Sequence, residues 1–542
     1  MDSKYAVVET AEAHVALETA VKDDDNIPVA EPVLVASPQP SSQKGIEPDA
    51  DDEISITWEK GESQPAAFRD KWFAIAFVTQ FVAVLATAMV VAPSFRAELF
   101  SSTDSDPASA SNIDQDDDGV SQEQDVPGIE FWASIVGIAL LVAPALSLFS
   151  MTLMSKNAIG MITASLWFSI ILCGLLAAGS IFVAPLVGII YGIFTVCLVS
   201  YLKAVKNRIP YAASNLKCSI SVLKNNLGLG LVAIGSMVAL VGYMLSWTFA
   251  FMFTMNLDAM KDNTTGDNDN DNELSPLGGF VACSFLLSFY WTHEVLRNIV
   301  RATVSGVVGH WWFVPAEASS FCSTAVMGSA TRASTYSLGS IAFGSLIVAV
   351  LHLIRNTLNN ARNDRNAGIL RCIAACILAY IEGLVQYFNK WAYIYVGLYG
   401  YDYVESGKRV MNLFRQRGWN VIIADNLTNR LLGIMSLTIG ILTGLCTLFV
   451  TFLADEIESK QGWLGVGFFI GFVIGIVMSG IAMGLLSSAV DSVIVCYAEA
   501  PNEFNETHPE MAQEMNQTWR DAWPDLVRGP VIVGLGGGLG VV

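Results

Sequence analysis

The sequence predicts an all-α membrane protein, a polytopic bundle of about ten transmembrane helices. Three observations carry that prediction. Long apolar runs recur along the 542 residues, most of them near or above the ~20 residues needed to cross ~30 Å of hydrocarbon. Hydrophobic residues make up 53% of the chain and charged residues only 15%, with a mean hydropathy of +0.48. Soluble domains carry roughly 25% charged residues, and a soluble core helix is not apolar all round. The connections between the runs, finally, alternate between acidic and basic.

In chain order, residues 1–67 are polar, acidic and proline-containing, which predicts a disordered cytoplasmic tail. No cleavable signal is expected there, so the first run, 72–93, acts as its own insertion signal. Segment 94–130 holds ten acids against Arg96 and is read as an outer loop. Runs 131–154, 159–178 and 181–202 follow as helices. Segment 203–226 contains Lys203, Lys206, Arg208, Lys217 and Lys224 with no acid, which marks it as a cytoplasmic loop. Run 227–253 leads to a second acidic outer loop, 254–277, which carries the glycosylation sequon at Asn263. The next helices are 278–301, which closes near Arg301, and 336–354.

Run 371–400 is apolar but interrupted by Glu382, Gln386, Asn389 and Lys390. Counted as a span it gives ten helices, with both termini cytoplasmic and Lys408, Arg409, Arg415 and Arg417 inside. It also places Arg355, Arg362 and Arg365 outside, against the charge rule. The alternative is that it re-enters or lies in the interface. In segment 402–425, Val404, Val410, Leu413, Phe414 and Val421 share a face opposite the basic residues. An amphipathic helix on the inner membrane surface follows from that spacing. Runs 427–453 and 463–495 complete the membrane domain, expected over 68–500, and 501–542 forms a cytoplasmic tail.

The net charge of −20 comes from the tails and loops, and no basic face of useful size exists. Nucleic acid is therefore excluded as a partner, and membrane lipids are expected ones. The nine cysteines avoid both acidic loops, which excludes a disulfide-stapled outer domain. Cys372 and Cys376 lie one helical turn apart without a histidine or second pair, so no metal is expected. The glycine-rich end GPVIVGLGGGLGVV has no preceding strand and no following helix, which removes a dinucleotide reading. No cofactor is expected, no catalytic residue is assigned, and an enzyme is the weaker class.

Ionisable groups inside apolar runs cost ~2.5–3.5 kcal/mol at mid-helix unless paired or hydrated, so they are the informative ones. Tyr290-Trp291-Thr292-His293-Glu294 places Tyr290 and Glu294 four apart on one face. A ring and a carboxylate on one wall suit an organic cation. The competing reading pairs Glu294 with Arg297 or Asn298. Tyr243, Trp247 and Phe251 form an aromatic stripe, which is more often packing than a ligand cage. Tyr380, Glu382 and Tyr387 are further candidates for the substrate. Asp491 has Ser487 and Ser488 nearby and no cation near in sequence, so it is a candidate proton relay or counter-charge, beside Glu294.

Several stretches resemble the choline transporter-like family, especially its fungal and algal members. They are Phe68-Arg69-Asp70-Lys71-Trp72, Val307–Phe313 (VVGHWWF), Gly339–Leu346, and Asn389–Ile394 with Leu398-Tyr399-Gly400 and Ser406-Gly407-Lys408. Asp491-Ser492-Val493 with Cys496 and Glu499 is the last. The resemblance implies a ten-helix transporter with cytoplasmic termini, moving choline or a related amino alcohol by alternating access, with proton exchange as an option. Animal members carry a longer, cysteine-bearing first outer loop, which this chain lacks. The sequon-bearing loop points to the plasma membrane. The competing class is a non-transporting membrane scaffold or lipid-organising protein that recruits partners through its acidic tail and segment 402–425.

Overall fold

The computed structural model describes residues 66–101, 129–257, 275–360, 368–417, 427–453 and 460–524. The bulk of the acidic tail, the interiors of both acidic loops with Asn263, Arg362 and Arg365, Val421 and the glycine-rich end lie outside the described residues.

Every described regular element is helical, as the sequence predicts. In order these are α1 (Lys71–Ser101), α2 (Ile129–Lys156), α3 (Ala158–Val183), α4 (Pro185–Val205), α5 (Ile209–Asn225), α6 (Gly228–Asn256) and α7 (Pro276–Phe313). There follow α8 (Thr324–Ser334), α9 (Leu338–Asn360), α10 (Gly368–Tyr399), α11 (Tyr403–Arg417), α12 (Leu427–Leu453), α13 (Lys460–Glu499), α14 (Pro501–Thr507) and α15 (Pro509–Ala522). Long helices stand at all ten predicted positions. Among the described residues, eight segments are long and apolar enough to cross a membrane. The other two predicted spans, α7 and α10, are not among those eight. Outward-facing Leu175, Phe182, Leu186 and Val196 on α3 and α4 provide the apolar exterior that lipid requires.

Local chemistry sets the helix ends. Pro185 opens α4 directly behind α3, because proline fits the first turn, where its missing N–H is not needed. Ser275 caps α7 by accepting from the Gly278 N–H at 3.1 Å, with Pro276 at the first helical position. Ser323 caps α8 through the Val326 N–H at 3.2 Å. Pro501 and Pro509 likewise start α14 and α15.

Three expectations need correction. Segment 203–226 is no loop: after a 3-10 turn at Lys206–Arg208 it forms α5, which buries Ala212, Ala213, Leu216, Ile220 and Leu223. Its lysines point outward; Lys217 bonds Glu514 of α15 and Lys224 bonds Ser155. Second, α7 does not close near Arg301 but continues to Phe313, 38 residues and about 57 Å at 1.5 Å per residue. Third, α11 does not turn its apolar face to lipid. Val410 and Phe414 are buried against the body of the protein, Phe414 edge-on to Trp391 at 5.0 Å, Leu413 is half-buried, and Val404 is exposed.

Helix α7 lies at the centre, touching α6, α8, α9, α10 and α13. α12 and α13 form the most intimate pair, because glycines face threonines across it. Thr447 Oγ1 donates to the Gly467 carbonyl at 2.9 Å. Small residues allow such close approach, and dispersion then does what the hydrophobic effect cannot do inside a bilayer. α10 is one unbroken helix packed along α7 and α9.

Candidate functional site

The candidate site lies where α7, α9 and α10 run side by side. Each contributes one ionisable side chain from near the middle of its length: Glu294, His352 and Glu382. The two carboxylates are only 3% and 6% exposed. His352 bridges them, with Nδ1 3.4 Å from Glu382 and Nε2 4.0 Å from Glu294. At one end Arg297 donates to Glu294 at 2.7 Å; at the other Arg355 donates to Glu382 at 3.0 Å, joined by Gln386 at 3.2 Å. His293 Nδ1 stands 3.6 Å from Glu294. The Tyr290 ring covers this row, 5.6 Å from the His352 ring and tilted to it by 37°.

The result is a row, Arg297–Glu294–His352–Glu382–Arg355, in which two buried carboxylates are held between half-exposed guanidiniums and a partly buried imidazole. Buried carboxylates persist only with such partners. Glu294 does pair with Arg297, the local alternative that the sequence offered. Asn298 does not join it: its amide donates to Ser345 Oγ at 3.0 Å, and Ser345 meets the Tyr393 hydroxyl at 3.2 Å.

Asp491 is not isolated in space. Lys390 of α10 reaches it at 2.8 Å, and the same ammonium lies 4.7 Å from the Trp391 ring centre. This second buried pair ties α10 to α13, further along α10 than Glu382.

The predicted aromatics divide. Tyr243 is buried, stacked on Phe81 at 5.0 Å, with its hydroxyl 2.6 Å from Ser288 Oγ. Ser288 in turn bonds Gln80, whose amide donates to Thr292 at 3.1 Å, so α1, α6 and α7 are tied next to the site. Trp247 stacks on Phe251 at 5.0 Å and donates to the Phe285 carbonyl at 2.8 Å, which is packing within the α6–α7 seam. Trp291 is fixed by its bond to the Ala342 carbonyl at 2.9 Å. Tyr387 is edge-on to Trp391 at 6.4 Å. Tyr380 stands apart, 70% exposed on the outer face of α10. Only Tyr290, Glu294 and Glu382 of the candidates meet in one cluster.

Sequence reasoning passed over His352, Arg355 and Lys390 as partners. A signal existed: His352 is a lone histidine inside the apolar run of α9, and an intramembrane ionisable residue is a functional candidate by default.

Residues 189–502 match the family described as plasma-membrane choline transporter. The chain belongs to that family. The matched region begins within α4 and ends in α14, so it contains both charge clusters. Similarity to curated relatives points the same way. The protein named PNS1 of Mycosarcoma maydis is 29% identical over 357 residues, 63% of this chain and 64% of that protein. PNS1 of Saccharomyces cerevisiae is 27% identical over 358 residues, again 63% of this chain and 64% of its own length. PNS1 of Candida glabrata is 33% identical over 261 residues, 46% of each chain. The chain thus spans less than two thirds of these relatives.

Membership of the choline transporter family also gives a use to the motifs that carried the resemblance, and most of them build the scaffold. Asp70 of FRDKW accepts from Ser340 Oγ at 2.6 Å and from the Tyr403 N–H at 3.2 Å, so it holds the first N–H of α11 while Asp402 caps that helix through the Glu405 N–H at 2.8 Å. In VVGHWWF, Trp312 donates to the Ala500 carbonyl at 2.9 Å and stacks on Phe504 at 4.0 Å, docking α14. Asn389 donates to the Gly344 carbonyl at 3.0 Å and accepts from the Tyr403 hydroxyl, locking α9, α10 and α11.

Proposed function

We propose that this protein carries a small organic cation, choline or a related amino alcohol, across the membrane by alternating access, in exchange for a proton. The observation that supports this most is the pair of buried glutamates bridged by His352 beneath the Tyr290 ring. A π-face and a diffuse negative field are what a quaternary ammonium needs, since it offers no N–H to donate.

Charge counting suggests how exchange operates. With His352 protonated, two glutamates, two arginines and one imidazolium sum to +1. With His352 neutral and the organic cation beside Glu294 and Glu382, the sum is again +1. In this reading the organic cation and the proton replace each other at the charge row, one positive charge for one. The carrier then returns with the proton in place of the cation, at the same total charge, and this one-for-one replacement is what couples the two movements. The Asp491–Lys390 pair, on α10 and α13, fits a gate that holds those two helices together while one face is closed. The acidic outer loops raise the local cation concentration. A multi-pass protein of the plasma membrane, with both termini cytoplasmic and Asn263 glycosylated, completes the reading. The scaffold alternative gains little from α11, because Val410 and Phe414 of its apolar stripe are buried against the protein.

The test is uptake of labelled choline into proteoliposomes with an imposed pH gradient. Saturable uptake is expected, with apparent affinity weakened about 10- to 30-fold in Tyr290→Leu, which loses about 2 kcal/mol of desolvated cation–π attraction. Glu294→Gln and Glu382→Gln should each depress uptake, and His352→Gln should uncouple it from the gradient. Uptake equal to that of protein-free liposomes sinks the proposal. Coupling unchanged in His352→Gln removes the proton exchange.

A further inference from the structure

A cavity of about 530 Å³ lies between α6, α7 and α13, and its chemistry is opposite to that of a cation site. Its polar wall is basic: His293, Arg297 and Arg301 line it, one helical turn apart along α7, and no carboxylate lines it. Ser236 on α6 and Ser487 and Ser488 on α13 add hydroxyls. The remaining wall is apolar, with Met237, Leu240 and Met244 facing Val477, Ile481 and Leu485. A second cavity of about 290 Å³, almost wholly apolar, adjoins it and shares Ile481 and Leu485.

Arg301 makes no ion pair among the described residues. Its one side-chain bond is a long 3.5 Å contact to Asn298 Oδ1. The carboxylates whose charge reaches it, Glu294 and Asp491, are already held by Arg297 at 2.7 Å and Lys390 at 2.8 Å. A guanidinium in a membrane span without its own counter-ion carries a free-energy cost that an anion removes. Arg301 and, beside it, Arg297 put two guanidiniums one helical turn apart on the same cavity wall, and guanidinium N–H groups suit phosphate oxygens.

We propose that this cavity binds an anionic phospholipid, its phosphate held by Arg301 and Arg297 and an acyl chain laid along α6 and α13 into the adjoining apolar cavity. The choice of an amphiphile over a soluble anion follows from the wall, which is polar at one end only. On the loop-charge reading of orientation this end of α7 also faces the inner leaflet, where anionic lipid is concentrated. The lipid then shields the positive end of the charge row from an incoming cation.

Delipidated full-length protein in neutral detergent, without choline, is titrated with phosphatidylglycerol, with phosphatidylcholine of the same chains, or with inorganic phosphate. Bound lipid is counted by native mass spectrometry and stability read from the melting midpoint. One saturable phosphatidylglycerol adduct is expected, at least about tenfold tighter than phosphatidylcholine, with a raised midpoint. Arg301→Gln should weaken it about tenfold. Gly484→Leu provides a second variant: Gly484 lines the cavity and a Cβ there meets nothing within 4 Å, so the added side chain starts into open space. It should lose the adduct while its lipid-free midpoint stays unchanged. Equal binding of the two lipids, full reproduction of the shift by inorganic phosphate, or native-like binding in Gly484→Leu overturns the proposal.

Discussion

Lys390 and Asp491 show at residue scale one way in which this bundle tolerates ions: in this pair each charge meets the other rather than lipid. The pair is mostly buried and spans 2.8 Å, so removing one partner strands the other. Lys390→Met alone should therefore destabilise the protein by about 3 kcal/mol, and Asp491→Asn alone by a similar amount. Combined, they should cost clearly less than their sum, because no charge is left exposed to a low dielectric. A double-mutant cycle on melting in detergent checks this; strictly additive losses would show that the two side chains do not depend on each other. The three carboxylates were legible in the sequence as interruptions of apolar runs. Arg297 was legible beside Glu294, but Arg355, His352 and Lys390 were not, because each comes from a different helix than the acid it serves. Helical period also sorts Tyr380 from Glu382: two residues apart they point about 200° from each other, so the ring faces outward while the carboxylate is buried.

At the scale of the element, the start of α1 and the α9–α11 seam are joined by backbone contacts that side-chain patterns do not display. Asp70 adopts φ 46°, the left-handed region, which aspartate tolerates through its own hydrogen bonds. From there its carboxylate reaches Ser340 and the first N–H of α11. Asp70→Ala should thus cost about 1–2 kcal/mol, as much as the loss of a helix cap, and Asp70→Asn less. Gly344→Ala should cost about 1–3 kcal/mol by overpacking, because a Cβ there runs into the Tyr403 ring and the Tyr393 hydroxyl, both buried and hydrogen-bonded. Thermal unfolding of the two variants ranks these losses; a neutral Gly344→Ala would mean that α9 and α11 are free to separate. The ten long helices were readable because twenty apolar residues leave few alternatives. α5 was not, since counting its lysines as loop charge hides the buried stripe of Ala212, Leu216, Ile220 and Leu223 beneath them.

For the whole molecule, the polar hairpin α14–α15 acts as a plug that couples the ends of α5, α7 and α13. Trp519 is buried, edge-on to Tyr211 at 4.9 Å and 4.2 Å from Tyr497, and donates to Asn215 at 3.1 Å. At the hinge between α14 and α15, His508 lies over Trp311 with ring centres 3.9 Å apart and contacts Thr507 through Nδ1 at 3.0 Å. Burial there lowers its pKa from the ordinary 6.5, since the buried ring lacks the water that would solvate its charged form. The unfolded or undocked hinge therefore binds the proton more readily than the docked one. Its contribution to docking is complete above about pH 6.5 and falls as pH drops through the lower value of the folded state. Hydrogen exchange of the α14–α15 amides should accordingly accelerate as the pH falls below about 6.5, after correction for intrinsic rates, and His508→Gln should flatten that dependence. Protection that is independent of pH in the native protein would place the hinge in water in both states. Because Trp311 and Trp312 sit on the same helix as Glu294, loosening the hinge by acid also frees the far end of α7, so the same scan read at α7 reports whether plug and site move as one body.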